Sequence, residues 1–244
     1  MDLHLRLDQA IANGNERLVF PHPESDDLLI KVISDRFRKR MDQKYSISTR
    51  LRRLTYYWPY MKEVSEHIYL REGQIENTHF VQDFTGFVDT NLGLGITVRA
   101  VKKHNGELAD TLSELIINKK FNQEHADRLN DLFKWLEKTF IVVRDLRTVN
   151  IVWDEINGHF VIIDGIGSRR LPSLRSVSRF YNRRANRRRI AKLCQRINRD
   201  LENLGYNLNL NFRNTSNLIF LIPCTISLSF WETFEQSYAI AMSI

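Results

Sequence analysis

The feature that most constrains this chain is the run IVVRDLRTVNIVWDEINGHFVIIDGIG near its middle. The apolar residues 140–143 lead straight into a polar stretch that contains Asp145. Asn150 lies five positions on, at the edge of the next apolar run, 151–153. A second apolar run, 160–163, follows DEINGH, where Asn157-Gly158 is a strong hairpin-turn signal. Asp164 closes that arm and is followed by Gly165 and Gly167. A hairpin of this kind brings Asp145, Asn150 and Asp164 to one end, pointing at a common space. The bland alternative, a polar loop beside an ordinary hairpin, needs three polar residues to align by accident.

Acid, amide and acid at this spacing suit phosphoryl transfer, which asks a protein for positioning and charge neutralisation. The kinase pattern is Asp, four residues, Asn, then a strand hairpin and Asp-x-Gly or a relative. Asp145 is the candidate catalytic carboxylate. Asn150 and Asp164 offer the hard oxygens that magnesium prefers. A lysine for the nucleotide phosphates is available in LLIKVI, where Lys31 sits in an apolar strand and must reach a partner or solvent. Its alternative is the solvated face of that strand. Gly14, just ahead of the preceding strand, is the candidate turn of a phosphate-covering loop, or a plain turn. Val101 is a third candidate nucleotide contact, where the sheet gives way to helices. The implied cofactors are ATP and Mg2+.

The predicted fold class is α+β, bilobal and protein-kinase-like: a small antiparallel sheet lobe plus a mainly helical lobe. Residues 17–20 and 28–33 read as strands around the turn-forming PHPESDD. Residues 48–70 are helix-compatible, with Pro59 breaking or restarting the helix. Two further strands are expected at 80–88 and 95–101. Helices are expected at 108–118, at 122–139 with Ala126, Leu129, Leu132, Phe133 and Leu136 on one stripe, and in the basic region and 191–204. The lobes are expected to divide as 1–101 and 102–244, with the boundary near 101–105.

The chain resembles the YrbL family, the group of PhoP-regulatory-network proteins, which is kinase-like. The resemblance rests on Gly14-x-x-Arg17-x-x-Phe20-x-His22-Pro23, Ile30-Lys31-Val32, Tyr56-Tyr57, Gly106, Asn150-Ile151-Val152 and Asp164-x-Ile166-Gly167. It runs from about residue 13 to 190 and implies a protein-kinase-like fold with an ATP site. More distantly, the pattern is similar to lipopolysaccharide-core sugar kinases. Two departures stand out. Arg53 lies about where a kinase helix offers a glutamate to the lysine, although Glu63 and Glu66 could substitute if the helix restarts after Pro59. The phosphate loop also lacks repeated glycines. Arg144-Asp145 keeps the usual Arg-Asp pair, with Val143 in place of the common histidine.

Charge narrows the partners. The net charge of +7 and the pI of about 9.5 favour an anionic partner. Ten basic residues and no acid fall between Arg169 and Lys192, a face for an anionic acceptor or simply a solvated helix surface. The expected function is therefore transfer of the ATP γ-phosphoryl group to a hydroxyl of a small-molecule, glycan or lipid-linked acceptor, with a protein acceptor as a lesser option. A pseudokinase or nucleotide-sensing regulator is the alternative. Nucleic-acid binding through Arg183 to Arg189 is disfavoured, because no aromatic interleaving accompanies those arginines. Cys194 and Cys224 are too few for a disulfide framework or a zinc site, and no signal peptide is expected, which points to the cytoplasm. The apolar stretch LIFLIPCTISLSFW, 218–231, is too short and too interrupted by Pro223 to span a bilayer. It is expected to pack on the core or to touch a membrane peripherally.

Overall fold

The computed structural model describes residues 3–44, 56–73, 75–168 and 178–206, all within the unit Met1–Arg213. The expectations for Arg53, for the segment 218–231 and for most of 169–178 lie outside these residues.

The first part of the chain is an antiparallel sheet of five strands in the order β1-β2-β3-β5-β4. The strands are β1 (Ala12–Asn13), β2 (Arg17–His22), β3 (Ser25–Ile33), β4 (Phe84–Val88) and β5 (Gly95–Arg99). Strand β3 is central and pairs with both β2 and β5. Its last residues, Ile30 to Ile33, are all buried. The β2–β3 turn is tighter than PHPESDD suggests, because pairing continues to His22 opposite Ser25. Leu5, Phe20, Ile30 and Val32 form a small core on one side of the sheet. Ile33, Phe37, Tyr60 and Ile96 form another against the helices.

Two helices join β3 to β4: α1 (Asp35–Lys44), which sequence reading missed, and α2 (Trp58–Glu72). Pro59 does not interrupt α2. It sits in the first turn, where its missing N–H has no intrahelical partner to lose. This sets the phase of α2 and turns Glu63 and Glu66 inward, where both are buried.

The remainder is helical around a short hairpin. Helix α3 (Leu112–Ile117) and helix α4 (Gln123–Lys138) each open with a capping box, from Thr111 and Asn122. The predicted stripe of α4 is buried. Strands β6 (Ile151–Asp154) and β7 (His159–Ile162) pair across a turn in which Gly158 has φ 66°. The long helix α5 (Arg179–Asn203) joins the part of the basic region from Arg179 onward to the predicted 191–204 helix without a break and ends at Asn203. These elements share the main core, which includes Leu112, Leu129, Leu136, Ile151, Phe160 and Ile197.

Helix α5 also fixes the approach to the polar loop. Asn182 and Asn186 are essentially buried, one turn apart. Asn182 Nδ2 donates to the carbonyls of Phe140 and Ile141 at 2.9 and 2.8 Å. Asn186 Nδ2 donates to those of Leu136 and Ile141 at 3.3 and 3.1 Å. Residues 140–143 lack a sheet partner along most of their length, so these amides satisfy carbonyls that would otherwise be buried without a donor. From the other side, Glu66 accepts from the Val142 N–H at 2.8 Å. The segment carrying Asp145 is thus pinned by α5 and by α2. Among the described residues, no helix is long and apolar enough to cross a membrane.

Candidate active site

Strand pairing places Lys31 directly between Val19 of β2 and Ile96 of β5. Cross-strand partners share a face, and residues two apart on a strand do too. Arg17, Val19 and Lys31 therefore point into the same space. Lys31 is 5% exposed. Its Nζ donates to the Ile163 carbonyl at 2.8 Å and lies 3.3 Å from Glu63 Oε1. The glutamate expected in a kinase is thus present as Glu63 on α2, the substitute weighed from the sequence.

Arg17 completes the group. It pairs with Glu63 through Nη1 and with Asp164 through Nη2, the latter at 2.7 Å. Two cations and two carboxylates therefore stand together, and their charges cancel. Burial opposes the charge on Arg17, but Glu63 and Asp164 outweigh it and hold the guanidinium above its ordinary pKa. Burial likewise opposes ionisation of Glu63, yet Arg17 and Lys31 hold its carboxyl well below the usual range.

The second part of the site is tied to the first through Gly165. Its carbonyl accepts from the Arg144 and Asp145 N–H groups at 2.7 and 3.1 Å. A Cβ at Gly165 would stand 2.4 Å from the Asp145 carbonyl oxygen, and its φ is 87°. Only glycine permits that approach. Gly167 is similar: φ is 89°, and a Cβ would meet the Lys62 carbonyl of α2 at 2.5 Å. The two glycines thus join Asp164 to the Asp145 loop on one side and to α2 on the other.

Asn150 is 8% exposed, and its Nδ2 donates to the Asp145 carbonyl at 3.0 Å. That bond leaves the amide oxygen as its acceptor for a cation. Asp145 is half-buried and pairs with Arg147 at 2.7 Å. Arg189 of α5 donates to the Arg144 carbonyl at 2.9 Å. Arg144 itself lies 3.9 Å from Glu16 in the loop after Gly14.

All six predicted site residues, Gly14, Lys31, Val101, Asp145, Asn150 and Asp164, line one cleft of about 920 Å³. That is room for a nucleotide-sized ligand. A second cleft of about 770 Å³, around His79, His159 and Arg128, shares only Val101 with this set. The loop at Gly14 is a tight turn, with the Gly14 N–H donating to the Arg17 carbonyl at 2.9 Å. The Val101 carbonyl is taken by the Ala109 N–H at 2.9 Å. For magnesium, the donors fit: Asn150 and Asp164 supply hard oxygens, and this ion commonly takes one or two protein groups with the rest from phosphates and water. Sequence reading assigned no role to Arg17, although its place two residues before Val19, the partner of Lys31, marks its face. Arg189 was seen only as part of a basic patch.

His67, one turn after Glu63, gives the site's flank a pH dependence. It is 7% exposed and stacks on Phe84 with ring centroids 5.5 Å apart. Burial first, then Lys31 and Arg71, push its pKa down to about 4, while Glu63 and Asp83 pull the other way. An unfolded chain protonates this histidine near pH 6.5. Between about pH 6.5 and 4 the unfolded state therefore binds a proton that the folded state refuses, and stability falls as pH falls. The loss is on the order of 3 kcal/mol for a shift of this size. Burial lowers His79 and His125 in the same direction. Urea melts across this range should show the slope, shallower in His67→Phe. An unchanged slope in that variant would clear His67 of the role.

Comparison with known proteins gives the context. The sequence model of the family described as "PhoP regulatory network protein YrbL" matches residues 3–198. No curated protein matched the sequence. Among solved structures, the chain is similar to Rad53 1-466 in complex with AMP-PNP, with a TM-score of 0.47 and 14% identity over 78% of this chain. It is also similar to a Stt7 homolog from Micromonas algae soaked with ATP, with a TM-score of 0.42 and 13% identity over 64% of this chain. The chain spans about half the length of each, 47% in both cases.

Proposed function

The chain belongs to the YrbL family of PhoP regulatory network proteins, and we propose that it is an ATP- and magnesium-dependent phosphotransferase acting on a hydroxyl. The observation that carries this reading is the convergence of the Lys31–Glu63 pair, Arg17, Asp145, Asn150 and Asp164 on one cleft. Lys31, oriented by Glu63, binds nucleotide phosphates. Asn150 and Asp164 hold magnesium, which when bound neutralises charge on the phosphates. Asp145 orients the acceptor hydroxyl and takes its proton. Gly14 lets the loop lie over the phosphates, and Val101 borders the base. In this reading the sheet lobe ends at 101, the helical lobe begins at 102, the cleft is lined from both sides of that boundary, and the protein works in the cytoplasm.

The acceptor is anionic in this account. Arg147 stands against Asp145, and Arg144 and Arg189 lie just behind it. A carboxylate or phosphate on a sugar, glycan or lipid-linked acceptor would find partners there. One observation favours the regulatory alternative, a nucleotide sensor with little turnover: Asp164 already carries a cation, Arg17. A single assay separates the two. ATP consumption is measured for wild type and Asp145→Ala with fractions of glycans, lipids and proteins. The transferase reading expects consumption by wild type with an anionic glycan or lipid fraction, lost in Asp145→Ala. Nucleotide binding without consumption in any fraction would favour the sensor.

A further inference from the structure

Asp164 has the chemistry of a metal ligand, yet in this structure its Oδ1 accepts from the Arg17 guanidinium at 2.7 Å and from the Gly165 N–H at 2.7 Å. The arginine cannot drift away. Its side chain is 11% exposed, its other nitrogen is held by Glu63, and the Gly14 turn fixes its backbone. A divalent ion approaching Asp164 alone would meet a guanidinium already on that carboxylate; Asp164 is 52% exposed but the guanidinium is 11% exposed, so the like charges are only partly screened. Phosphates change this balance, because they attract both the metal and the arginine.

We propose that Arg17 is a placeholder cation: it neutralises Asp164 while the cleft is empty and transfers one arm of its guanidinium to the phosphates when the metal arrives with its nucleotide. The inference rests on the reading that Asp164 takes magnesium and the cleft takes ATP. The guanidinium suits the task because its fork spans two acceptors at once. Nη1 stays on Glu63 and keeps Glu63 in register with Lys31, while Nη2 changes partner. No proton moves and no covalent bond changes. The arrangement also supplies a second phosphate cation from the start of β2, just after a loop that has one glycine where kinases have several, so a side chain does part of what backbone N–H groups do elsewhere. Metal without nucleotide is disfavoured, and the two ligands bind together.

Arg17→Lys tests this without emptying the buried pair. Lysine keeps a charge beside Glu63 but its single ammonium cannot bridge to Asp164 as the fork does. Arg17→Met removes the charge at similar length. Circular dichroism establishes that each variant is folded. Two titrations follow by calorimetry: Mn2+ alone, and ATP at saturating Mg2+. The expected result is tighter Mn2+ binding in both variants than in wild type, by about tenfold, the worth of one charge-assisted hydrogen bond. That gain should vanish when Asp164→Asn is added. ATP binding at saturating Mg2+ should weaken by about the same factor. Folded variants with wild-type affinity for Mn2+ would overturn the placeholder role. Wild-type affinity for Mg·ATP would overturn the transfer to phosphate. A wild-type protein that binds no ATP at any Mg2+ concentration would instead remove the nucleotide reading, with the Mn2+ titration still deciding the contact between Arg17 and Asp164.

Discussion

Replacing Glu63 with alanine is expected to destabilise the protein by roughly 3–5 kcal/mol, because it removes the buried carboxylate that Lys31 and Arg17 share and leaves two cations to one carboxylate, Asp164. Glu63 is 3% exposed and is shared by Arg17 and Lys31. After the substitution, Lys31 retains the Ile163 carbonyl and Arg17 retains Asp164, but neither contact returns the lost charge inside the pocket. Glu63→Gln preserves shape and one acceptor oxygen, so its loss should be smaller. Urea or thermal melts at neutral pH read both. The two variants should also bind Mg·ATP poorly, since Lys31 and Arg17 lose their fixed positions. A Glu63→Ala protein within about 1 kcal/mol of wild type would mean that the pair is solvated and its electrostatics weak.

The second large effect is on turnover. Asp145→Ala should lower ATP consumption by about 10²–10⁴-fold, the range for removing a positioned general base. Stability and Mg·ATP affinity should change little, because Asp145 is half-buried and its side chain pairs with the exposed Arg147. The neighbouring bonds that hold the loop use the Asp145 backbone, its N–H to Gly165 and its carbonyl to Asn150, and survive truncation. Loss of turnover with retained binding identifies a residue acting on the acceptor. Parallel loss of both would assign Asp145 to the metal or to folding instead.

Most of the site was legible because it is local in sequence. Asp145, Asn150 and Asp164 lie within twenty residues, linked by a hairpin whose turn residues announce themselves. Lys31 was legible as a charge inside an apolar strand. What escaped depends on distant pairing. Glu63 could be named only as a substitute, because its partner is 32 residues away and its direction depends on where α2 starts. Arg17 has the same face as Lys31 only once the β2–β3 register is known. Asn182 and Asn186 lie in an arginine-rich helix that sequence reading offered as an anionic-acceptor face or a solvated surface, and both are buried on carbonyls some 41 to 50 residues earlier. The basic residues around them hide the 3.6-residue period, since their long stems can lie along apolar surface as well as in water.

If Asp164 holds magnesium against the nucleotide, ATP binding must depend on both the ion and this carboxylate. ATP affinity measured with Mg2+ and with EDTA, in wild type and in Asp164→Ala, tests that directly. The expected result is wild-type binding that is much tighter with Mg2+ and a variant that has lost the difference. Equal affinity with and without Mg2+ in wild type, or an undiminished Mg2+ effect in Asp164→Ala, would contradict it.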